Sequence, residues 1–306
     1  MTRRDWLLSA LPLAPPSGGR TMAFSRGAFS GDRDSAGPGD AVVLNGASRK
    51  VLLEQGDFRR SGLPGSTLKP FVLAALLDRH LLKPNERLEC PGEFRLGEHN
   101  LECDHARNAG PLDAVEALAV SCNFWFAIMS KRLGPEGLLK ALRRVGLAAQ
   151  RAPNEEQACV QALGLAHVSA SPLTLAHAYA ELLKAGPPAA VLQGMRAAVE
   201  RGTAQRALSD RVWIAGKTGT APGGLPGSSA GWFAGWAMRP DAVSCPAAQA
   251  AGCLHSRPSI AFAVRVVGGT GGGAAADLGK EVTEQWAQGA WSHVALKAAT
   301  EGPFRI

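Results

Sequence analysis

A single tyrosine stands among 306 residues, and the basic side chains are scattered rather than arranged in stripes with aromatics between them. A stacking platform beside a phosphate track is therefore not on offer, and nucleic acid is not an expected partner. The surplus of positive charge, 33 Lys+Arg against 26 Asp+Glu for a net +7, suits anionic envelope polymers equally well. None of the six cysteines forms a Cys-x-x-Cys pair, and no histidine accompanies them at zinc-site spacing, so neither a metal nor a cofactor is expected. The seven histidines, His105 among them, are scattered and need not be ligands. There is no internal repeat. Hydrophobic residues make up 46%, ordinary for a chain that buries a sizeable core as one large domain or two small ones.

The chain begins Met1-Thr2-Arg3-Arg4-Asp5-Trp6-Leu7-Leu8, a charged start followed by an apolar run to Ala14. This has the form of a twin-arginine export signal, although Pro12, Pro15 and Pro16 interrupt it. It is too short to span a membrane as a helix. Residues 17–40, rich in Gly, Ser, Arg and Asp, read as a linker. Residues 1–40 are thus an expected export signal and linker, and residues 41–298 the expected folded domain, in a periplasmic or other extracytoplasmic compartment. There Cys90 with Cys103, and Cys245 with Cys253, could close short loops as disulfides; separate free thiols are the alternative.

Apolar runs at 41–44 and 51–53 flank Asn45-Gly46, a hairpin signal. A helix is predicted from Ser66 to about His80, with Leu68, Val72, Leu76 and Leu77 on its buried face. Residues 83–113 are loop-rich. From 112 to 186 helical rhythms dominate: 113–132 with a break at Ser121-Cys122-Asn123, then 137–145, then 172–184 with Ser171 as cap and Pro172 in the first turn. A helix at 191–200 ends at Gly202. Strands follow at 211–215, 231–238 and 259–267, and a closing helix at 282–298. Strands first, a helical block, then strands again predicts an α+β fold of the α/β class. It has one antiparallel sheet flanked by helices and an inserted all-helical lobe.

Ser66 and Lys69 stand three apart at the head of an apolar helix, so hydroxyl and amine share one face. The preceding Gly62-Leu63-Pro64-Gly65 lets the helix begin abruptly, and free backbone N–H groups there suit a developing oxyanion. Alone this pattern is common. It is followed in chain order by Ser121-x-Asn123 and by Lys217-Thr218-Gly219-Thr220. The three together resemble the penicillin-binding protein transpeptidase domain, of the superfamily shared with serine β-lactamases. Pro64-Gly65-Ser66-Thr67-Leu68-Lys69-Pro70 looks like the family's first motif, with Leu in place of Phe. Ser171-Pro172-Leu173-Thr174-Leu175-Ala176, Gly202-Thr203-Ala204 and Trp232-Phe233-Ala234-Gly235 resemble its intervening segments, so the likeness covers about residues 41–292.

The resemblance implies a serine acyl-transfer enzyme, a DD-transpeptidase or DD-carboxypeptidase. It would act on D-Ala-D-Ala stem peptides of peptidoglycan and be acylated by β-lactam antibiotics, with cell-envelope proteins among its partners. Ser66 would be the nucleophile. Lys69 would be its base, its pKa lowered by burial and by a second cation, Lys217. Ser121 would relay a proton to the leaving amine, and Asn123 would hold Lys69 or the substrate amide. Lys217, Thr218 and Thr220 would bind the substrate carboxylate, and Gly219 would allow close backbone approach. The N–H groups of Ser66 and Thr220 would form the oxyanion hole. Cys122 is expected to be a packed thiol rather than a nucleophile. The rival readings are a β-lactamase, with Glu155-Glu156 where class A enzymes carry their deacylating Glu, and a non-catalytic penicillin-sensing or wall-binding module. The class D β-lactamase pattern would place Val where Asn123 stands.

Overall fold

A computed structural model describes residues 39–83, 85–106, 110–224, 227–239 and 259–289. The expected export signal, the Cys245–Cys253 pairing and the end of the predicted closing helix lie outside them. In chain order the elements are β1 (Asp40–Asn45), β2 (Val51–Gln55), α1 (Lys69–Asp78), β3 (Glu93–Leu96), β4 (His99–Glu102), α2 (Ala114–Ala119), α3 (Asn123–Ser130) and α4 (Gly134–Arg144). There follow β5 (Ala148–Ala149), α5 (Glu155–Ala162), β6 (Val168–Ser169), α6 (Pro172–Ala185), α7 (Ala189–Arg201), β7 (Trp213–Pro222), β8 (Ser229–Met238), β9 (Ser259–Val267) and α8 (Ala276–Ala287).

The sheet has the order β2-β1-β9-β8-β7, antiparallel throughout. First and last strands therefore meet: β1 lies against β9, with Val42 opposite Ala263. Between them the chain leaves to build the helices, which makes the fold α+β with an inserted helical lobe. The alternation of side chains decides which core each residue joins. Trp232, Ala234 and Trp236 of β8, Ala261 and Ala263 of β9, and Val42 and Leu44 of β1 pack with the helical lobe. Their neighbours Phe233, Phe262, Val264, Ala41 and Val43 pack on the other face with Val282 and Trp286 of α8. Both faces are covered, so β8 is buried along its whole length. That explains its near-continuous apolar sequence.

Local chemistry sets the element ends. Asn45 does turn the first hairpin, but through its side chain: Oδ1 accepts the N–H groups of Ala47 and Ser48 at 3.1 and 2.8 Å. Asp113 and Glu116 close a capping box on α2, and Ser171 and Thr174 close one on α6. Three expectations need correction. The loop-rich stretch contains the β3–β4 hairpin, in which Phe94 and Leu101 face each other across a Gly97-Glu98 turn. The first helix opens with a 3-10 turn, Gly65–Leu68, and becomes α-helical only at Lys69. The closing helix starts at Ala276 and ends at Ala287, because the Gly- and Ala-rich stretch before it winds as a wide turn that runs straight into the helix.

A buried ion pair joins the adjacent strands β1 and β9. Arg265 of β9 donates through Nε and Nη2 to Asp40 Oδ2 at 2.9 and 2.6 Å, and through Nη1 to the Arg60 carbonyl at 2.6 Å. Asp40 Oδ1 accepts the Asp57 N–H at 2.6 Å. The guanidinium fork is filled, so removing it leaves a buried carboxylate uncompensated. Arg265→Leu is expected to lower the free energy of unfolding by about 3–5 kcal/mol in urea titration; a loss under about 1 kcal/mol would show the pair to be dispensable.

Candidate active site

The turn that carries Ser66 is assembled by backbone contacts only glycine permits. Gly65 sits at φ +56, and a Cβ there would come within 2.9 Å of the Thr220 carbonyl. A Cβ on Gly164 would come within 2.1 Å of the Gly65 carbonyl. The Gly65 N–H donates to the Gly164 carbonyl at 3.1 Å, and Gly62 pairs with Ala170. Three stretches of chain thus converge on the turn that carries Ser66: the segment before α1, the loop after α5 and the sheet-edge strand β7. The next residue is held from two sides. Thr67 Oγ1 donates to the Pro64 carbonyl at 2.8 Å, and the sole tyrosine, buried Tyr179 of α6, donates its hydroxyl to the Thr67 carbonyl at 2.8 Å. In a 3-10 turn residues three apart eclipse each other, which keeps Ser66 and Lys69 on one face.

Lys69 is fully buried. Its Nζ donates to the Ser121 carbonyl at 2.7 Å, to Asn123 Oδ1 at 2.7 Å and to Ser121 Oγ at 3.2 Å. It also lies 5.4 Å from the centre of the Phe126 ring. Burial pushes its pKa down to about 8, against the opposing pull of Cys122, Cys103 and Asp104. Ser121 reaches Lys69 from a left-handed backbone, φ 58, uncommon for a residue with a side chain. Nothing in the sequence announced that strain, which clusters at functional sites. Asn123 is oriented in turn by the unexpected hairpin: its Nδ2 donates to the Glu102 carbonyl at 2.7 Å.

Lys217, on β7, shares the sheet face of Ala215, which is turned toward the helical lobe. It is fully buried and donates to the Thr218 carbonyl at 2.9 Å. Its pKa is pulled well down, first by burial and then by the charge of Lys69. The expected coupling of two cations is present, but it acts on Lys217; burial, rather than the second cation, is what lowers Lys69. Gly219 lets the turn that carries Ser66 approach β7 closely: a Cβ there would lie 2.6 Å from the Pro64 carbonyl. Thr218 Oγ1 lies 2.6 Å from Thr203 Oγ1, and Thr220 Oγ1 accepts the Gly271 N–H at 3.1 Å.

Ser66, Ser121, Asn123, Thr218, Gly219 and Thr220 line one cavity of about 440 Å³ between the β7 edge and the helical lobe. Lys69 and Lys217 are fully buried and are not among its lining residues. Sequence reasoning did not single out Glu102, Asp104, Leu163 or Thr270, which line the same cavity. Thr203 was legible as part of Gly202-Thr203-Ala204, and Thr270 and Gly272 belong to the glycine-rich rim. Glu155 and Glu156, on α5, are not among the lining residues; both are exposed, and Glu155 pairs with Lys131 at 3.1 Å. Cys90, Cys103 and Cys122 are buried free thiols, so Cys90 and Cys103 are not joined as a disulfide. Cys103 and Cys122 Sγ lie 3.9 Å apart, and the hydrogen bond between them pulls the pKa of Cys103 down and that of Cys122 up.

Residues 45–245 match the family of the penicillin binding protein transpeptidase domain. Solved structures share the fold. Penicillin-binding protein 2 of Pseudomonas aeruginosa aligns with a TM-score of 0.66 at 22% identity, over 81% of this chain and 70% of that one. A peptidoglycan glycosyltransferase from Burkholderia ambifaria aligns at 0.67 and 20% identity, over 84% and 90%. Penicillin-binding protein 3 of Mycobacterium tuberculosis aligns at 0.65 and 20% identity, over 82% and 73%. Among the described residues no helix is long and apolar enough to cross a membrane.

Burial of Lys69 is directly measurable. On lysine labelled at the carbon next to Nζ, one resonance should titrate near pH 8, well below the ordinary lysine range. It should vanish in Lys69→Arg. A lowest lysine midpoint at the ordinary value would show the ammonium to be solvated.

Proposed function

We propose that this chain, which belongs to the penicillin binding protein transpeptidase family, is a serine acyltransferase of the extracytoplasmic cell wall. Its substrates are D-Ala-D-Ala stem peptides. The observation that carries this reading is the convergence of six motif residues on one cavity, above a buried amine bonded to two of them.

In the proposed reaction the substrate carboxylate lies against the Thr218 and Thr220 hydroxyls, with Lys217 beneath the strand supplying positive potential. The penultimate D-Ala carbonyl points its oxygen at the N–H groups of Ser66 and Thr220. Lys69, neutral in a large fraction near pH 8, takes the Ser66 proton as Oγ attacks that carbonyl carbon. The tetrahedral oxyanion is held by the two N–H groups, each of which contributes about 3 kcal/mol in comparable sites. Ser121 Oγ, 3.2 Å from Lys69 Nζ, passes a proton to the departing D-Ala amine as the C–N bond breaks. The acyl group is left as an ester on Ser66. An amine of a second stem peptide, or water, then attacks the ester and Ser66 recovers its proton. A β-lactam enters the same path, but its opened ring keeps the leaving amine tethered, so the ester persists.

Two observations support this reading over a β-lactamase. Glu155 and Glu156, the carboxylates offered as a deacylating base, do not line the cavity. Asn123 stands bonded to Lys69, where the class D pattern has an apolar residue.

The test is intact-mass analysis after treatment with a fluorescent penicillin. One adduct should form, map to the peptide containing Ser66 and survive for hours. Decay within seconds would instead establish a β-lactamase. Ser66→Ala should remain folded and unlabelled, and persistent labelling of that variant would sink the assignment. Lys69→Ala should lose nearly as much, since groups acting as one unit are not additive. The labelling rate should rise with pH through about 8 and then level off, because the amine becomes a base only on losing its proton. Release of D-Ala from a D-Ala-D-Ala peptide separates an enzyme from a penicillin sensor.

A further inference from the structure

Chain order sets Cys90 and Cys122 well apart from Cys103-Asp104-His105, and the cysteines show no Cys-x-x-Cys pair. The fold brings them together. Cys90 precedes the β3–β4 hairpin, Cys103 and His105 follow it, and Cys122 occupies the turn between α2 and α3. The three sulfurs and one imidazole nitrogen all lie within 4.8 Å of one another. We propose that these four residues bind a zinc ion, in a Cys3His site that pins the Ser121–Asn123 turn to the hairpin.

The geometry suits that ion. Zinc–sulfur bonds of about 2.3 Å at tetrahedral angles hold two sulfurs roughly 3.8 Å apart. Cys103 and Cys122 Sγ are 3.9 Å apart. Three buried sulfurs and one imidazole nitrogen form the donor set of a structural zinc rather than of calcium or magnesium.

The imidazole is set for ligation. His105 Nδ1 lies 3.0 Å from the Ala106 carbonyl, which can only accept, so Nδ1 carries the proton and Nε2 carries the lone pair. Nε2 is buried and has no hydrogen-bond partner among the described residues. A buried nitrogen that would otherwise forfeit a hydrogen bond acquires a use if a cation lies against it.

The sulfurs are dressed for negative charge. The N–H groups of Gly92, Phe124 and Trp125 donate to Cys90, Cys103 and Cys122 at 3.4, 3.4 and 3.3 Å. Each sulfur thus receives one backbone donor, an arrangement that favours thiolates. Three thiolates and a divalent cation sum to one negative charge. That charge would sit beside the turn whose Ser121 and Asn123 oxygens hold the buried Lys69 ammonium. The ion would be a positioning element: it fixes Cys122, and with it the strained Ser121 on one side and Asn123 on the other.

The full chain, produced with zinc in the medium and dialysed against a metal-free buffer, is analysed for metal. About one zinc per chain is expected, with four-coordinate sulfur and nitrogen ligation. Exchange for cobalt(II) should give a thiolate-to-metal charge-transfer band and the intense visible bands of tetrahedral cobalt. Cys103→Ala should lose the metal, whereas Cys159→Ala, which removes a buried free thiol outside the cluster, should keep it. If Cys103→Ala does not fold, the cobalt spectrum of the unaltered chain decides. A folded chain that holds neither zinc nor cobalt would overturn the proposal, whether its thiols prove reduced or an intact mass two hydrogens lighter shows a disulfide.

Discussion

Keeping one ammonium out of water is the constraint around which the site is built. A pKa brought down to about 8 means that charging Lys69 in place is on the order of 3 kcal/mol harder than charging it in solvent. A hydrogen bond to a charged group returns about 1.5–3 kcal/mol. One acceptor would barely offset burial. Two short bonds, to the Ser121 carbonyl and Asn123 Oδ1, with the Ser121 hydroxyl and the Phe126 ring nearby, hold the charged and neutral amine in close balance. That balance is what a base working near neutrality requires. It also explains why Ser121 tolerates a left-handed backbone: only a sharp reversal between α2 and α3 turns a carbonyl, a hydroxyl and an amide side chain toward the same nitrogen.

The sheet makes that balance durable. β7 lies at one edge, yet its lobe-facing side is closed by the turn that carries Ser66, with Gly65 packed on the Thr220 backbone and Gly219 on that of Pro64. On the far side of the strand β8 is buried along its length, between two cores. A strand held this way has little freedom to drift. The N–H of Thr220, the hydroxyls of Thr218 and Thr220 and the amine of Lys217 therefore arrive already oriented. Preorganised donors cost no rearrangement when charge develops, which is where most of their value lies. The glycine-rich rim meets the same strand from outside, and Gly271 fits against Gly219 because neither carries a side chain.

What could be read in the chain beforehand followed from local rules. Ser66 and Lys69 share a face because helices repeat, and Ser171 caps because it precedes Pro172 at the start of a helix. What could not be read depends on contacts distant in sequence. The β3–β4 hairpin is four residues a side and largely polar, so its alternation is weak. Its importance lies in the Glu102 carbonyl, which only the fold places against Asn123. The direction of the coupling between the two lysines was hidden for the same reason, since it rests on burial of groups far apart in the chain. The cysteines illustrate it most sharply. Pairwise spacing left loop-closing disulfides and separate free thiols both open, while three separate stretches of chain bring their sulfurs close together.

The sole tyrosine shows how such distant contacts become one device. Trp236, in the middle of the most buried strand, donates its indole N–H to the Tyr179 carbonyl at 2.9 Å. Tyr179 stacks edge-on with Phe71 of α1 at 4.8 Å and donates its hydroxyl to the Thr67 carbonyl. Sheet, α6 and the turn that carries Ser66 are thereby linked by two hydrogen bonds and an aromatic contact, all inside the core. Phe71 and Tyr179 also belong to the core cluster that packs the helical lobe against the sheet. The contact that holds the Ser66 turn is therefore anchored in the same apolar interior on which the sheet is built.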